Sequence, residues 1–122
     1  MKLQASAPSQ RNAFTGYGEG YVQVNGQRRE ASVLVTPGQV LDWAPASFAE
    51  LAEAHFACIV ELRPEVVLLG TGARLRFPPA ALTAPLARAG IGLEVMDVQA
   101  ACRTYNILAA EDRVVVAALL LA

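Results

Sequence analysis

The second half of the chain contains a set of residues whose chemistry suits binding: Gly70, Thr71, Gly72, Asp97, Arg103 and Asn106. Glycine lets a backbone approach a partner closely, and the other four offer a hydroxyl, a carboxylate, a guanidinium and an amide. The three glycine-loop residues and Asp97 follow two apolar runs that predict strands. Ligands of open α/β sheets bind outside the carboxyl ends of the strands, so the set predicts a ligand or partner site there.

A purely structural interpretation of the same residues stays open. The two glycines would then only shape a tight turn, and Asp97 would only cap a helix. Arg103 would in that case pair with a nearby acid.

The sequence lacks a complete set of residues for catalysis or for metal binding. Residues 70–72 lack the longer glycine-rich stretch and the Lys-Ser/Thr pair of a phosphate-binding loop. Cys102 falls on the apolar face of a predicted helix, and His55, the only histidine, belongs to another helix. One histidine and two scattered cysteines do not make a zinc site. We therefore expect no catalytic residue, no metal and no cofactor.

The composition indicates one folded domain. The chain has 122 residues, of which 54% are apolar and 17% charged, and a net charge of −1. Such a charge does not attract nucleic acid or anionic lipid. The apolar run over residues 114–122 is shorter than the roughly 20 residues of a spanning helix, so we expect no membrane insertion. Two cysteines and no apolar leader within Met1 to Ser9 predict a cytoplasmic protein.

Local signals predict most of the secondary structure. We expect a flexible arm over residues 1–12 and one α/β domain over residues 13–122. Asn25-Gly26 favours a type I′ turn between strands over residues 21–24 and 27–35. Ser47 and Glu50 form a capping-box pattern. Helices are predicted over residues 47–55, 79–89 and 98–110, with Pro85 as a kink or a break in the second.

The order of these elements predicts the fold class. Strands over residues 65–69 and 91–96 flank a helix, which predicts a parallel, right-handed β-α-β unit. The final strand, over residues 113–121, follows a short turn. The sequence leaves both directions open for it and favours the antiparallel one. The fold class is a single three-layer α/β domain with a short mixed central sheet, helices on the sheet faces and an N-terminal β-hairpin packed alongside.

Four segments in this order carry a resemblance to a known family: residues 68–72, 92–97, 101–108 and 111–114. The chain resembles the small α/β domain family that includes mitochondrial respiratory complex I assembly factor three and the adipogenesis-associated domain protein. It looks like a bacterial member. The resemblance covers residues 13–121 and implies a mixed central sheet with a hairpin layer, and a role in assembly rather than catalysis.

Three hypotheses of function follow. The first is a non-catalytic protein-interaction domain that assists assembly of a respiratory or other multi-subunit complex. It predicts an exposed apolar patch near Trp43 and Phe48, or on the loops after the parallel strands. The alternative is a small-ligand-binding protein or enzyme, with Thr71, Asp97, Arg103 and Asn106 converging in one polar hollow at the C-terminal ends of the parallel strands. A third is a homodimer joined through a strand edge, so the chain is expected to be a monomer or a homodimer.

Overall fold

The computed structural model describes residues 11–122 of the chain. Most of the predicted arm over residues 1–12 therefore lies outside the described residues. Its last residue, Asn12, is attached to the domain. The backbone N–H of Asn12 donates to the carbonyl oxygen of Pro37 at 3.0 Å, and its side-chain amide donates to the carbonyl oxygen of Thr36 at 2.9 Å.

The described residues form two sheets and three α-helices. The smaller sheet is antiparallel, with β1 (Phe14–Gly18), β2 (Tyr21–Val24) and β3 (Gln27–Arg29) in that order. The remaining elements are β4 (Val33–Val35), β5 (Val40–Asp42), a 3-10 helix (Phe48–Glu50), α1 (Glu53–Val60), β6 (Val66–Gly70), α2 (Ala80–Arg88), β7 (Gly92–Met96), α3 (Val98–Ala110) and β8 (Val115–Leu119). The larger sheet has five strands in the order β5-β4-β8-β6-β7.

The fold class predicted from the sequence is confirmed, with the hairpin extended to a three-stranded sheet. Asn25 and Gly26 both have positive φ, at 53° and 82°, as the predicted turn requires. The predicted return strand over residues 27–35 is divided between the two sheets. Its first part is polar and pairs with β2, whereas Val33–Val35 is buried throughout and joins the central sheet.

The direction of the final strand, which the sequence left open with the antiparallel one favoured, is parallel to β6, although β8 pairs antiparallel with β4 on its other side. Strand β6 pairs in parallel with both β7 and β8. The reason lies in α3, because its 13 residues run about 20 Å at 1.5 Å per residue. This helix returns the chain from the carboxyl edge of the sheet to the amino edge. The short turn that follows it does not reverse the strand direction.

The first predicted helix begins too early in the sequence. Residues 47–55 contain a 3-10 helix, and α1 extends over Glu53–Val60. Ser47 makes no capping hydrogen bond. Instead, Nδ1 of His55 accepts a hydrogen bond from the backbone N–H of Ala52 at 3.0 Å. The imidazole at the third helical position thus performs the task that the capping-box pattern reserves for Glu or Gln.

The other two helices agree with their predicted ranges to within one residue at each end. Pro85 lies inside α2 and is buried, and the helix continues through it.

Two apolar clusters cover the two faces of the central sheet. On one face, α3 packs against β6 and β8 and also contacts β1 of the small sheet. Phe14 and Tyr105 meet there edge to face, with ring centroids 5.1 Å apart. On the other face, α1 and α2 cover the sheet through fully or nearly fully buried side chains, among them Phe56, Ile59 and Leu86. Three parallel strands are thereby held with their carboxyl ends at one edge.

Candidate functional site

The loops that follow the parallel strands β6 and β7 are bonded to each other at the carboxyl edge of the sheet. Beyond the strands themselves, the backbone N–H of Thr71 donates to the carbonyl oxygen of Met96 at 2.9 Å. The N–H of Val98 donates to the carbonyl oxygen of Gly72 at 3.0 Å. Residues 70–72 and Asp97 are therefore brought together, as the pairing of Leu69 with Val95 on adjacent strands requires.

Thr71 is fully buried, and its hydroxyl serves the chain itself. The hydroxyl donates to the carbonyl oxygen of Arg74 at 2.7 Å and accepts from the backbone N–H of Arg76 at 3.1 Å. We call residues 71–79 the β6–α2 loop. Thr71 fastens this loop to the end of the sheet, so its hydroxyl is engaged rather than open to a ligand.

The two glycines meet two different steric requirements. A Cβ added to Gly70 would lie 2.8 Å from the side chain of Leu119 and 3.2 Å from the Cα of Val98. Glycine at this position lets β6 lie close to α3, since a Cβ would require the end of the Leu119 side chain and the backbone at Val98 to shift. Gly72 has a φ of +89°, which residues other than glycine rarely adopt.

Asp97 is the N-cap of α3. Its Oδ1 accepts a hydrogen bond from the backbone N–H of Ala100 at 2.8 Å, so the structural interpretation of this residue holds. Asp97 and Gly72 also line a cavity of about 480 Å³, whose lining includes Glu19 of the turn between β1 and β2 and Tyr21 at the start of β2. The cavity lies where ligands of α/β sheets commonly bind.

Arg103 and Asn106 are bonded to β1 and not to the β6–α2 loop. Nη1 of Arg103 donates to the hydroxyl of Tyr17 at 3.1 Å, and this hydrogen bond is the main cause that raises the pKa of Arg103. Asn106 donates to the carbonyl oxygen of Phe14 at 2.8 Å and accepts from its N–H at 2.9 Å. Both side chains fasten the small sheet to α3. The four predicted side chains are thus not gathered in one hollow.

The β6–α2 loop exposes two large apolar side chains that the sequence reasoning did not single out. Phe77 is 71% exposed and Leu75 is 49% exposed. They alternate with Arg74 and Arg76, and prolines follow at positions 78 and 79. An alternating arginine and apolar pattern that ends in two prolines is a signal that could have drawn attention to this loop.

The protein-interaction hypothesis predicted an exposed apolar patch at one of two places, and the structure differs between them. The loop after a parallel strand is exposed as predicted. Trp43, in contrast, is buried, and its indole N–H donates to the carbonyl oxygen of His55 at 3.2 Å. Phe48 is half-buried beneath Arg76, whose guanidinium carbon lies 4.6 Å from the centroid of the Phe48 ring. The patch is therefore on the β6–α2 loop and does not include Trp43.

The two cysteines are free thiols. Cys102 is buried in the helix face, and burial raises its pKa to about 12, against a weaker opposite effect of Arg103. Cys58 is exposed, and its pKa is also raised, mainly by partial burial of its sulfur. A thiol with a raised pKa is a poor nucleophile at neutral pH.

The His, Cys, Asp and Glu side chains of residues 11–122 form no group of three that could hold a metal ion. None of the helices in this range combines the length and the apolar character that crossing a membrane requires.

Comparison with known proteins gives the chain its family. Residues 14–120 match the family described as "Protein of unknown function (DUF498/DUF598)". The NADH dehydrogenase [ubiquinone] 1 alpha subcomplex assembly factor 3 of Danio rerio is 32% identical over 122 residues, and the alignment spans 98% of this chain and 68% of that protein. The "13 kDa major membrane protein" of Francisella tularensis is 28% identical over 82% of this chain and 83% of its own length.

A solved structure agrees with the fold. The crystal structure of a protein from Bordetella parapertussis is similar at a TM-score of 0.86 and 41% identity, covering 92% of this chain and 97% of that one. The family match, the sequence relatives and this structure all point the same way. The chain belongs to the DUF498/DUF598 family of proteins of unknown function, which includes assembly factor 3 of NADH dehydrogenase.

Proposed function

We propose that the chain is a non-catalytic protein-interaction domain that assists assembly of a multi-subunit complex in the cytoplasm, with the β6–α2 loop as its docking surface. The observation that carries the proposal is the 71% exposure of Phe77. Aromatic side chains that are exposed in a free protein and enter a pocket of a partner supply much of the binding energy of protein interfaces.

The anchoring of the loop supports this role. Thr71 holds the backbone on both sides of Leu75 through its hydrogen bonds to Arg74 and Arg76. A loop that is ordered before binding loses less conformational entropy when a partner docks. Leu75 and Phe77 are thereby displayed on a fixed support.

The assembly role is supported by the relative from Danio rerio, whose name makes it an assembly factor of NADH dehydrogenase. This chain spans 68% of that relative, so the two proteins have most of this domain in common. The partner we propose is therefore a subunit of the NADH dehydrogenase of the host bacterium.

The experiment is a binding assay with each purified subunit of that enzyme. We expect one subunit to bind, and Phe77→Ala to weaken binding by tenfold or more, since loss of a central aromatic costs about 2 kcal/mol or more. Ile107→Ala is the matched control, because Ile107 is 60% exposed on α3, away from the loop. The proposal fails if no subunit binds, or if both variants bind as the unaltered chain does.

A small-ligand-binding protein or enzyme is the second candidate. The cavity of about 480 Å³ beside Asp97 and Gly72 favours it. Its volume lies within the range of about 300–1,000 Å³ that small-molecule sites occupy. The candidate needs Asp97 to contact a ligand in addition to capping α3, which a substitution that preserves the cap can separate.

A further inference from the structure

Within residues 11–122, the two arginines of the β6–α2 loop have no acidic partner, a property they share with Arg29 and Arg63. Within residues 11–122, four other arginines form ion pairs: Arg11, Arg28, Arg88 and Arg113. Arg103 is bonded to the hydroxyl of Tyr17. Arg74 and Arg76 have no ion pair, and Nε of Arg76 is buried without a hydrogen-bond partner. No acid in the described part of the chain neutralises the Arg76 guanidinium, which leaves its charge available to a carboxylate of a partner.

From this we infer that the β6–α2 loop binds an apolar segment of the partner protein that carries a carboxylate, with the acid at Arg76 and the apolar residues at Leu75 and Phe77. This inference rests on the proposed function and names the chemistry of the partner at the same surface.

The position of Arg76 prepares it for such a contact. Its guanidinium carbon lies 4.6 Å from the centroid of the Phe48 ring, close enough for a cation–π attraction that restrains the side chain. A guanidinium presents its N–H groups as a fixed fork that matches the two oxygens of a carboxylate. Because the Phe48 ring restrains the Arg76 guanidinium, less side-chain entropy is lost when a carboxylate binds to it.

The start of α2 adds to the positive potential beside the loop. The N-cap of this helix is Pro79, which offers no side-chain cap, and the first turn contains no acidic residue. The N-terminus of a helix carries a partial positive charge. A carboxylate bound at Arg76 would lie only a few residues along the chain from this helix end, so both features favour the same sign of ligand charge.

The alternation of side chains sets the pattern of the partner segment. Arg74 and Arg76 alternate with Leu75 and Phe77 along the loop. A partner segment in which acidic and apolar residues are neighbours can contact the arginines and the apolar side chains of the loop at the same time. An anionic membrane is the other surface that offers both, but the chain has a net charge of −1, which gives no long-range attraction to such a surface. We therefore commit to a protein segment.

Two synthetic peptides with uncharged, chemically blocked termini test the inference on the full chain. One alternates leucine with glutamate, and the other replaces every glutamate by glutamine, so that they differ only in charge. Titration of the 15N-labelled chain should shift the amide signals of residues 74–77, and the glutamate peptide should bind about tenfold more tightly than its twin. Added salt should reduce this difference.

Arginine variants assign the charge contact. Arg76→Gln should abolish the preference for the glutamate peptide, whereas Arg63→Gln should leave it intact. Arg63 is a suitable control because it is exposed and has no ion pair within residues 11–122. Arg76→Lys keeps the charge but loses the fork and should show a reduced preference, which provides a second test if Arg76→Gln unfolds the chain.

The outcomes separate this inference from the proposed function. Equal binding of both peptides at the loop would show that the partner needs no carboxylate. Docking of apolar side chains on the loop would still hold. Binding to phosphatidylglycerol vesicles but to neither peptide would overturn it in favour of a membrane surface. Binding to none of the three probes would also overturn it, whereas the proposed function is decided by the subunit assay with Phe77→Ala.

Discussion

The hydroxyl of Thr71 accepts a hydrogen bond from the backbone N–H of Arg76 at 3.1 Å, across the turn that follows the central strand β6. The same hydroxyl donates to the carbonyl oxygen of Arg74 at 2.7 Å. One buried side chain thus connects the rigid sheet to the loop that displays Phe77. Thr71 belongs to the proposed docking surface by supporting it and does not touch the partner.

Replacing Thr71 by valine should destabilise the chain and loosen the loop. The two side chains have similar shapes, but valine leaves the N–H of Arg76 without its acceptor. We expect a loss of about 1–3 kcal/mol in the free energy of unfolding, measured by urea denaturation. Amide hydrogen exchange at Arg76 should become faster.

Thr71→Ser is the control for that substitution, since it keeps the hydroxyl and removes only a methyl group. It should preserve the slow exchange at Arg76. Unchanged exchange at Arg76 in the valine variant would show that the hydroxyl does not hold the loop.

Asp97 offers a test that separates helix capping from ligand binding. Asp97→Ala should lower the free energy of unfolding by about 1 kcal/mol, because the N–H of Ala100 loses its acceptor. Asp97→Ser keeps a capping oxygen and should restore most of that stability. An alanine variant as stable as the unaltered chain would contradict the capping role.

The serine variant also addresses the second candidate function. It removes the carboxylate from the wall of the cavity while the helix cap remains. A small molecule that binds the unaltered chain but not Asp97→Ser would support a ligand site there. Equal binding by both would show that the carboxylate takes no part.

The stability of the fold should decrease at high pH. Burial raises the pKa of Cys102 from 9.0 to about 12, and burial also raises the pKa of Tyr105 above its ordinary value of 10.0. The folded chain therefore holds these protons over a pH range in which the unfolded chain releases them. The stabilisation from Cys102 is complete below pH 9 and is lost as the pH rises from 9 towards 12.

Chemical denaturation at a series of pH values measures this effect. The free energy of unfolding should fall between pH 9 and pH 11, and Cys102→Ala should reduce the steepness of that fall. A free energy of unfolding that rises over the same interval would contradict the raised pKa values.

Local sequence signals predicted the elements whose structure is decided locally. Asn25-Gly26 formed its turn because few other residue pairs accept two positive φ values in succession. Helix α3 was found because Asp97 caps it and its buried side chains repeat at helical spacing. The first helix was misplaced because its cap comes from His55, a residue type outside the capping-box rule.

Contacts between segments that are far apart in the chain could not be predicted from the sequence. The side chain of Asn106 is hydrogen-bonded to the backbone of Phe14, which lies 92 residues earlier in the chain. No periodic pattern in the sequence predicts such a pair. The exposure of Phe77 likewise depends on what packs around it, and an aromatic residue in a sequence is more often buried. The meeting of residues 70–72 with Asp97 was predictable, because it follows from a general property of parallel strands.

A photo-crosslinking measurement tests the docking surface most directly. Phe77→p-benzoylphenylalanine, produced in the full chain inside cells of its source organism, places a reactive group at the proposed centre of the interface, and the same change at Ile107 is the control. We predict that irradiation joins position 77 to a subunit of NADH dehydrogenase and that position 107 gives no such product. Absence of a subunit crosslink at position 77, or equal crosslinking from both positions, would contradict the account.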